Sequence, residues 1–121
     1  PILLEDIAIA CPDLRMIISH MGHPWEDECV VLIRKHPNLY SNVSALHYRP
    51  RRHYHAFMSA IEYGVDHKLI FGSDFPSATA AQVISGQWKV NDVVEGTNFP
   101  RIPDETINDI IYENWKQVLQ V

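Results

Sequence analysis

Leu69, Ile70 and Phe71 form an unbroken apolar run that opens directly onto Gly72-Ser73-Asp74-Phe75-Pro76. A short apolar run bounded by turn residues suits a parallel strand covered on both faces rather than a half-exposed one. Gly72 allows close backbone approach, and Pro76 ends the segment by removing a donor. Asp74 is thereby delivered to the carboxyl end of a buried strand, where a bare carboxylate costs about 5 kcal/mol or more. It needs a partner or a cation.

The rest of the chain repeats this plan. Leu3, Leu4, Ile7, Ala8 and Ala10 recur at spacings of three and four, which predicts an amphipathic helix over 2–10, stopped at Pro12. Residues 14–19 read as a strand that delivers His20 into the turn Met21-Gly22-His23-Pro24. A second helix is predicted over 25–35, opened by Pro24 and an acidic first turn that complements the helix dipole. Residues 39–44 form a third short extended run with Ser44 at its end, and 46–55 read as a basic, aromatic loop or helix entrance. Ala56, Phe57, Ala60 and Ile61 carry a helix ended by Gly64 in the left-handed cap position. A helix over 77–84 follows the strand at 68–72, then a long irregular loop over 85–102 and a terminal helical segment over 103–121. Helices alternating with short buried strands imply right-handed crossover units in a parallel sheet, with His20, Ser44 and Asp74 gathered at one rim.

Composition narrows the function. The chain is one domain in size, with 46% hydrophobic residues, enough for a real core. A net charge of −5 excludes general affinity for nucleic acids or anionic membranes. No apolar run reaches the ~18 residues of a membrane span. Cys11 and Cys29 lack metal or disulfide spacing, so both read as reduced structural thiols in a cytoplasmic setting.

The stretches Met16-Ile17-Ile18-Ser19-His20-Met21-Gly22, His36-Pro37-Asn38-Leu39-Tyr40, Leu69 to Pro76 and Glu113-Asn114 together resemble the amidohydrolase-related family of metal-dependent hydrolases and decarboxylases. Aminocarboxymuconate semialdehyde decarboxylase is a member of that family. The resemblance covers essentially the entire chain. It implies a distorted TIM barrel holding a divalent metal, usually zinc, at the carboxyl ends of its strands, and a small-molecule substrate. The family binds metal through an HxH pair on the first strand and a His on the fifth; His20 matches its sixth-strand His and Asp74 its eighth-strand Asp. The match implies that Asp74 is a metal ligand able to take a proton from bound water. It makes His20 the catalytic histidine that orients or deprotonates that water, and a second-metal ligand in binuclear relatives. Family members are more than twice as long, so the chain is expected to be the C-terminal part of such a barrel, about three strand–helix units.

Each candidate has a plainer reading beside it. On pattern alone Asp74 serves equally as helix N-cap or ion-pair partner, and His20 as a cap of the turn before Pro24. His53-Tyr54-His55 looks like a metal-binding HxH but enters a helix, where residues two apart diverge, so it reads as solvated surface. Arg49 and Arg51 lie on the active rim and could grip a substrate carboxylate, or simply form a solvated loop or subunit contact. Trp25 lines the pocket or packs the first helical turn. His23 reads as a turn residue. Two hypotheses follow: a metal-dependent hydrolase or decarboxylase of a small carboxylated or cyclic substrate, or a noncatalytic fragment that associates through its exposed half-barrel. Open sheet edges predict a homo-oligomer or a missing N-terminal half under either one.

Overall fold

The computed structural model describes residues 1–121. Three strands, β1 (Met16–Ile18), β2 (Leu39–Asn42) and β3 (Leu69–Ile70), form a parallel sheet in the order β1-β2-β3. Ile18 is in register with Ser41, and Asn42 with Ile70. Helices α1 (Glu5–Ala10), α2 (Glu26–Lys35), α3 (Pro50–Glu62), α4 (Ala80–Trp88), α5 (Asp104–Tyr112) and α6 (Trp115–Leu119) surround it. The alternation is that of a partial (β/α) barrel. Parallel pairing puts all three carboxyl strand ends on one side.

The core packs Leu32, Ile33, Leu39, Leu46, Phe57 and Leu69 from the sheet and its helices against Ile102, Ile107 and Ile110 near the end of the chain. Two long-range clasps fix the short strands. Lys68 Nζ donates to the carbonyls of Ile33, His36 and Pro37 at 2.7, 2.8 and 3.1 Å, placing a cation where the α2 dipole is negative. Asn114 Nδ2 donates to Asp66 O and Leu69 O at 3.0 and 2.8 Å, binding the α5–α6 junction to β3. That use of Asn114 breaks the terminal segment into α5 and α6.

Several elements differ from the sequence reading. Residues 2–4 form a 3₁₀ turn rather than the first turn of α1, and Leu3 and Ile9 are 86% and 63% exposed, so only Ala8 of this helix is buried. The run 46–55 is already helical from Pro50, whose fixed φ suits the first helical position. Helix α4 begins at Ala80, held by a capping box in which Thr79 and Gln82 bond reciprocally, and continues to Trp88, four residues into the expected loop. Beyond it, the segment is closed by Asn91: its Nδ2 donates to Ile102 O at 2.9 Å and its Oδ1 accepts from Ile102 N at 2.8 Å. The expected irregular loop over 85–102 is thus a helix end followed by a pinned loop. Cys11 is exposed and Cys29 buried, both free; burial pushes the Cys29 thiol up to about 11. No helix is long and apolar enough to cross a membrane.

His53 is the largest correction. Instead of lying on solvated surface it is buried, its Nε2 paired with Gln87 Oε1 at 2.6 Å, while His55 on the exposed side meets Asp27 at 3.0 Å. The two imidazoles diverge as helical spacing requires. Burial pushes His53 down from 6.5 to about 4. The folded chain therefore binds fewer protons than the unfolded chain between those values, so this contribution is whole above ~6.5 and is lost as pH falls toward ~4, up to about 3 kcal/mol. Urea melts across this window are expected to lose less stability in His53→Gln than in the wild type; equal losses would contradict the assignment.

Candidate active site

His20 follows β1 in a tight turn where three successive residues, His20, Met21 and Gly22, have φ of 57°, 49° and 65°. Asp74, four residues beyond β3, has φ 61°. Left-handed backbone at non-glycine residues costs about 1–2 kcal/mol each. Both rim residues carry that strain, as do Met21, Ala45 and Gln120. Met21 is buried beneath the turn and anchors it.

The two side chains meet. His20 Nε2 lies 3.7 Å from Asp74 Oδ1, with 39% and 30% of the side chains exposed. The other ring nitrogen, Nδ1, is 2.6 Å from Ser44 Oγ. Asn42 Oδ1 sits behind, 2.5 Å from Ser44 Oγ and 3.0 Å from the His20 backbone nitrogen. The rim seen in the sequence at His20, Ser44 and Asp74 is thus a contiguous cluster, with Asn42 added. Gly72 lets it close: a Cβ there would lie 3.2 Å from Asn42 Cγ and 3.3 Å from Ser44 Cβ.

Beside this cluster is a residue that sequence reasoning passed over. His47 Nδ1 is buried without a hydrogen-bond partner. Burial lowers the His47 pKa, and the carboxylate of Asp74 acts on it in the opposite sense. The ring stacks at 3.9 Å, tilted, on Tyr48. Its only sequence signal is an imidazole three residues past Ser44, inside a run rich in arginines.

The other candidates are placed differently. Arg49 Nη1 is bound to Ala45 O at 2.8 Å, folding back on its own loop. Arg51 is exposed on the first turn of α3, where it lines a cleft of about 310 Å³ with Arg52 and His55. Neither this cleft nor the neighbouring one between Arg51, Val94 and Phe99 includes His20 or Asp74. Trp25 is 58% exposed at the start of α2. His23 is more than a turn residue: its Nδ1 pairs with the buried Glu26, which also accepts from Arg52 at 3.2 Å. No three His, Cys, Asp or Glu side chains converge closely enough to hold an ion on their own.

A parallel half-barrel with an imidazole and a carboxylate facing each other at the carboxyl strand ends defines a class. The chain belongs to the amidohydrolase family, whose model matches residues 1–119. Among solved structures it is similar to an amidohydrolase from Burkholderia multivorans with bound zinc, at 14% identity and a TM-score of 0.65. A second crystal form of an amidohydrolase from that organism, with bound HEPES, gives 14% identity and a TM-score of 0.66. Both alignments cover 98% of this chain and 48% of the neighbour, so the chain spans about half the neighbours' length. No curated protein matches the chain.

Gly86 offers a check on the placement of His47. A Cβ at Gly86 would lie 2.7 Å from His47 Cβ, a contact that a rotamer change cannot relieve. Helix propensity alone favours alanine in α4 by about 0.5–1 kcal/mol, whereas overpacking costs about 1–3 kcal/mol. Denaturant melts of Gly86→Ala are expected to show destabilisation; a stabilised variant would contradict this packing.

Proposed function

We propose that the chain carries the proton-handling side of a metal-dependent hydrolase site for a small carboxylated or cyclic substrate. The observation behind this reading is the 3.7 Å approach of His20 Nε2 to Asp74 Oδ1 at the strand ends. Donors on one tetrahedral zinc, with bonds of about 2.0–2.2 Å, lie about 3.4 Å apart. The pair therefore fits a single divalent ion with a shift of a few tenths of an ångström, and zinc is the ion bound in one Burkholderia neighbour. Two donors do not complete a tight site, which takes three protein ligands and an open position. Such an ion, when bound, lowers the pKa of water toward ~7.

Within that frame Asp74 supplies negative charge and a carboxylate oxygen able to receive a proton. With the ion bound, His20 Nε2 is its second donor; without it, the same lone pair accepts or returns the proton of a water between the two groups. Arg51 and Trp25 stand at the starts of α3 and α2, hence on the same rim as the strand ends. Arg51 is suited to grip a substrate carboxylate, and Trp25 to cover an apolar ring; Arg49, engaged by Ala45, shapes the loop instead. Hydrolysis and decarboxylation both need a proton moved at this pair, and only hydrolysis also needs the water oxygen delivered to the substrate. β1 and β3 each leave one edge unpaired, and Leu3 and Ile17 are exposed, which supports association with a second copy or a further barrel segment. The two unpaired thiols suit a cytoplasmic setting.

Calorimetric titration with zinc is expected to give one ion per chain, bound at least tenfold more weakly, about 1.4 kcal/mol, in both His20→Ala and Asp74→Ala. Zinc affinity unchanged in both variants would overturn the reading.

A further inference from the structure

The hydrogen bonds behind His20 can be given directions by elimination. The backbone nitrogens of His20 and Ser44 both approach Asn42 Oδ1, at 3.0 and 3.3 Å. Backbone N–H groups only donate, so the Asn42 atom facing them is the carbonyl oxygen and not the amide nitrogen. Ser44 Oγ lies 2.5 Å from that same oxygen. An amide oxygen carries no hydrogen, so the serine hydroxyl spends its single proton there. What remains to Ser44 Oγ is acceptance, and the atom 2.6 Å away is His20 Nδ1. Nδ1 must therefore carry a hydrogen. In the neutral ring the lone pair then resides on Nε2, the nitrogen that faces Asp74 Oδ1 across 3.7 Å.

We infer that Asn42 and Ser44 are positioning residues that lock His20 as its Nδ1–H tautomer and so present Nε2 as the open lone pair. The inference deepens the proposed function and rests on the His20–Asp74 pair being the reaction centre. Its consequence is specific. Two acceptors, a ring nitrogen and a carboxylate oxygen, are made to face each other, an arrangement satisfied by a proton, a cation or a water that donates to both. With the opposite tautomer, an Nε2–H would point at Asp74 and fill that gap with the ring's own hydrogen. Asn42 ends β2 and Ser44 opens the turn two residues later, which brings the hydroxyl back onto the Asn42 oxygen. Gly72, two residues beyond β3, packs closely beside them, so that a Cβ there would be tight against both. A neutral hydroxyl in this role orients the ring without bringing a further charge to the rim.

The test is the imidazole nitrogen spectrum of the chain labelled with nitrogen-15 histidine and freed of metal by a chelator. It is recorded well above the usual imidazole value of ~6.5, with His20 assigned by the resonances lost in His20→Gln. His20 is expected to show a protonated Nδ1 and an unprotonated Nε2. Ser44→Ala is expected to lose this single tautomer. Asn42→Asp, in which the facing oxygen still accepts, is expected to keep it. A wild-type ring protonated at Nε2, or an Nδ1–H tautomer that persists in Ser44→Ala, would overturn the inference. If Ser44→Ala does not fold, a tautomer that changes in folded Asn42→Asp would overturn it equally. The measurement needs no metal, so a locked tautomer in a chain that fails to bind zinc refutes the metal reading alone. Zinc binding by a chain with the opposite tautomer refutes this inference alone.

Discussion

Everything at the rim depends on parallel pairing of three very short strands. β2 is the centre: it holds β1 through Met16–Ile18 and β3 through only Ser41 and Asn42. A ladder two residues long cannot fix a strand by backbone bonds alone, so β3 is held from outside. Asn114 binds the carbonyl of Leu69, and Lys68, the residue before β3, binds three carbonyls at the end of α2. With β3 fixed, Asp74 comes back over the sheet to His20.

The turn that carries His20 is secured with equal care. Met21 is buried under it, and His23 pairs with Glu26, a carboxylate almost without solvent contact that also receives Arg52 from α3. Removing one partner of a buried carboxylate is costly, about 3–5 kcal/mol, because the remaining charge is left uncompensated. The charged cluster therefore ties the His20 turn to two helices at once. The positive φ at His20 and Asp74 is strain that this surrounding structure sustains.

Much of this was legible in the chain. The apolar run at 69–71 marked β3, the recurrence of polar residues at strand ends marked the rim, and His20 and Asp74 stood out at its two sides. What was hidden has physical reasons. His53 is buried because it shares a stripe with Ala56, Phe57 and Ala60 at helical spacing, a signal masked by the charged residues around it. The Asn91–Ile102 clasp joins residues eleven apart, and no local pattern announces it. The extension of α4 to Trp88 follows from burial of Gln87 against His53 and the carbonyl of Val43, contacts made only in the folded chain. Asn42 looks like any polar residue in a strand until its oxygen is seen to gather three donors.

We propose that residues 20 and 74 hold one ion between them. Anomalous diffraction at the zinc edge, from crystals grown with zinc, locates that ion. A single peak about 2.0–2.2 Å from both His20 Nε2 and Asp74 Oδ1 is the expected result. A peak at Cys11, His23 or His55 with the rim pair left apart would contradict it.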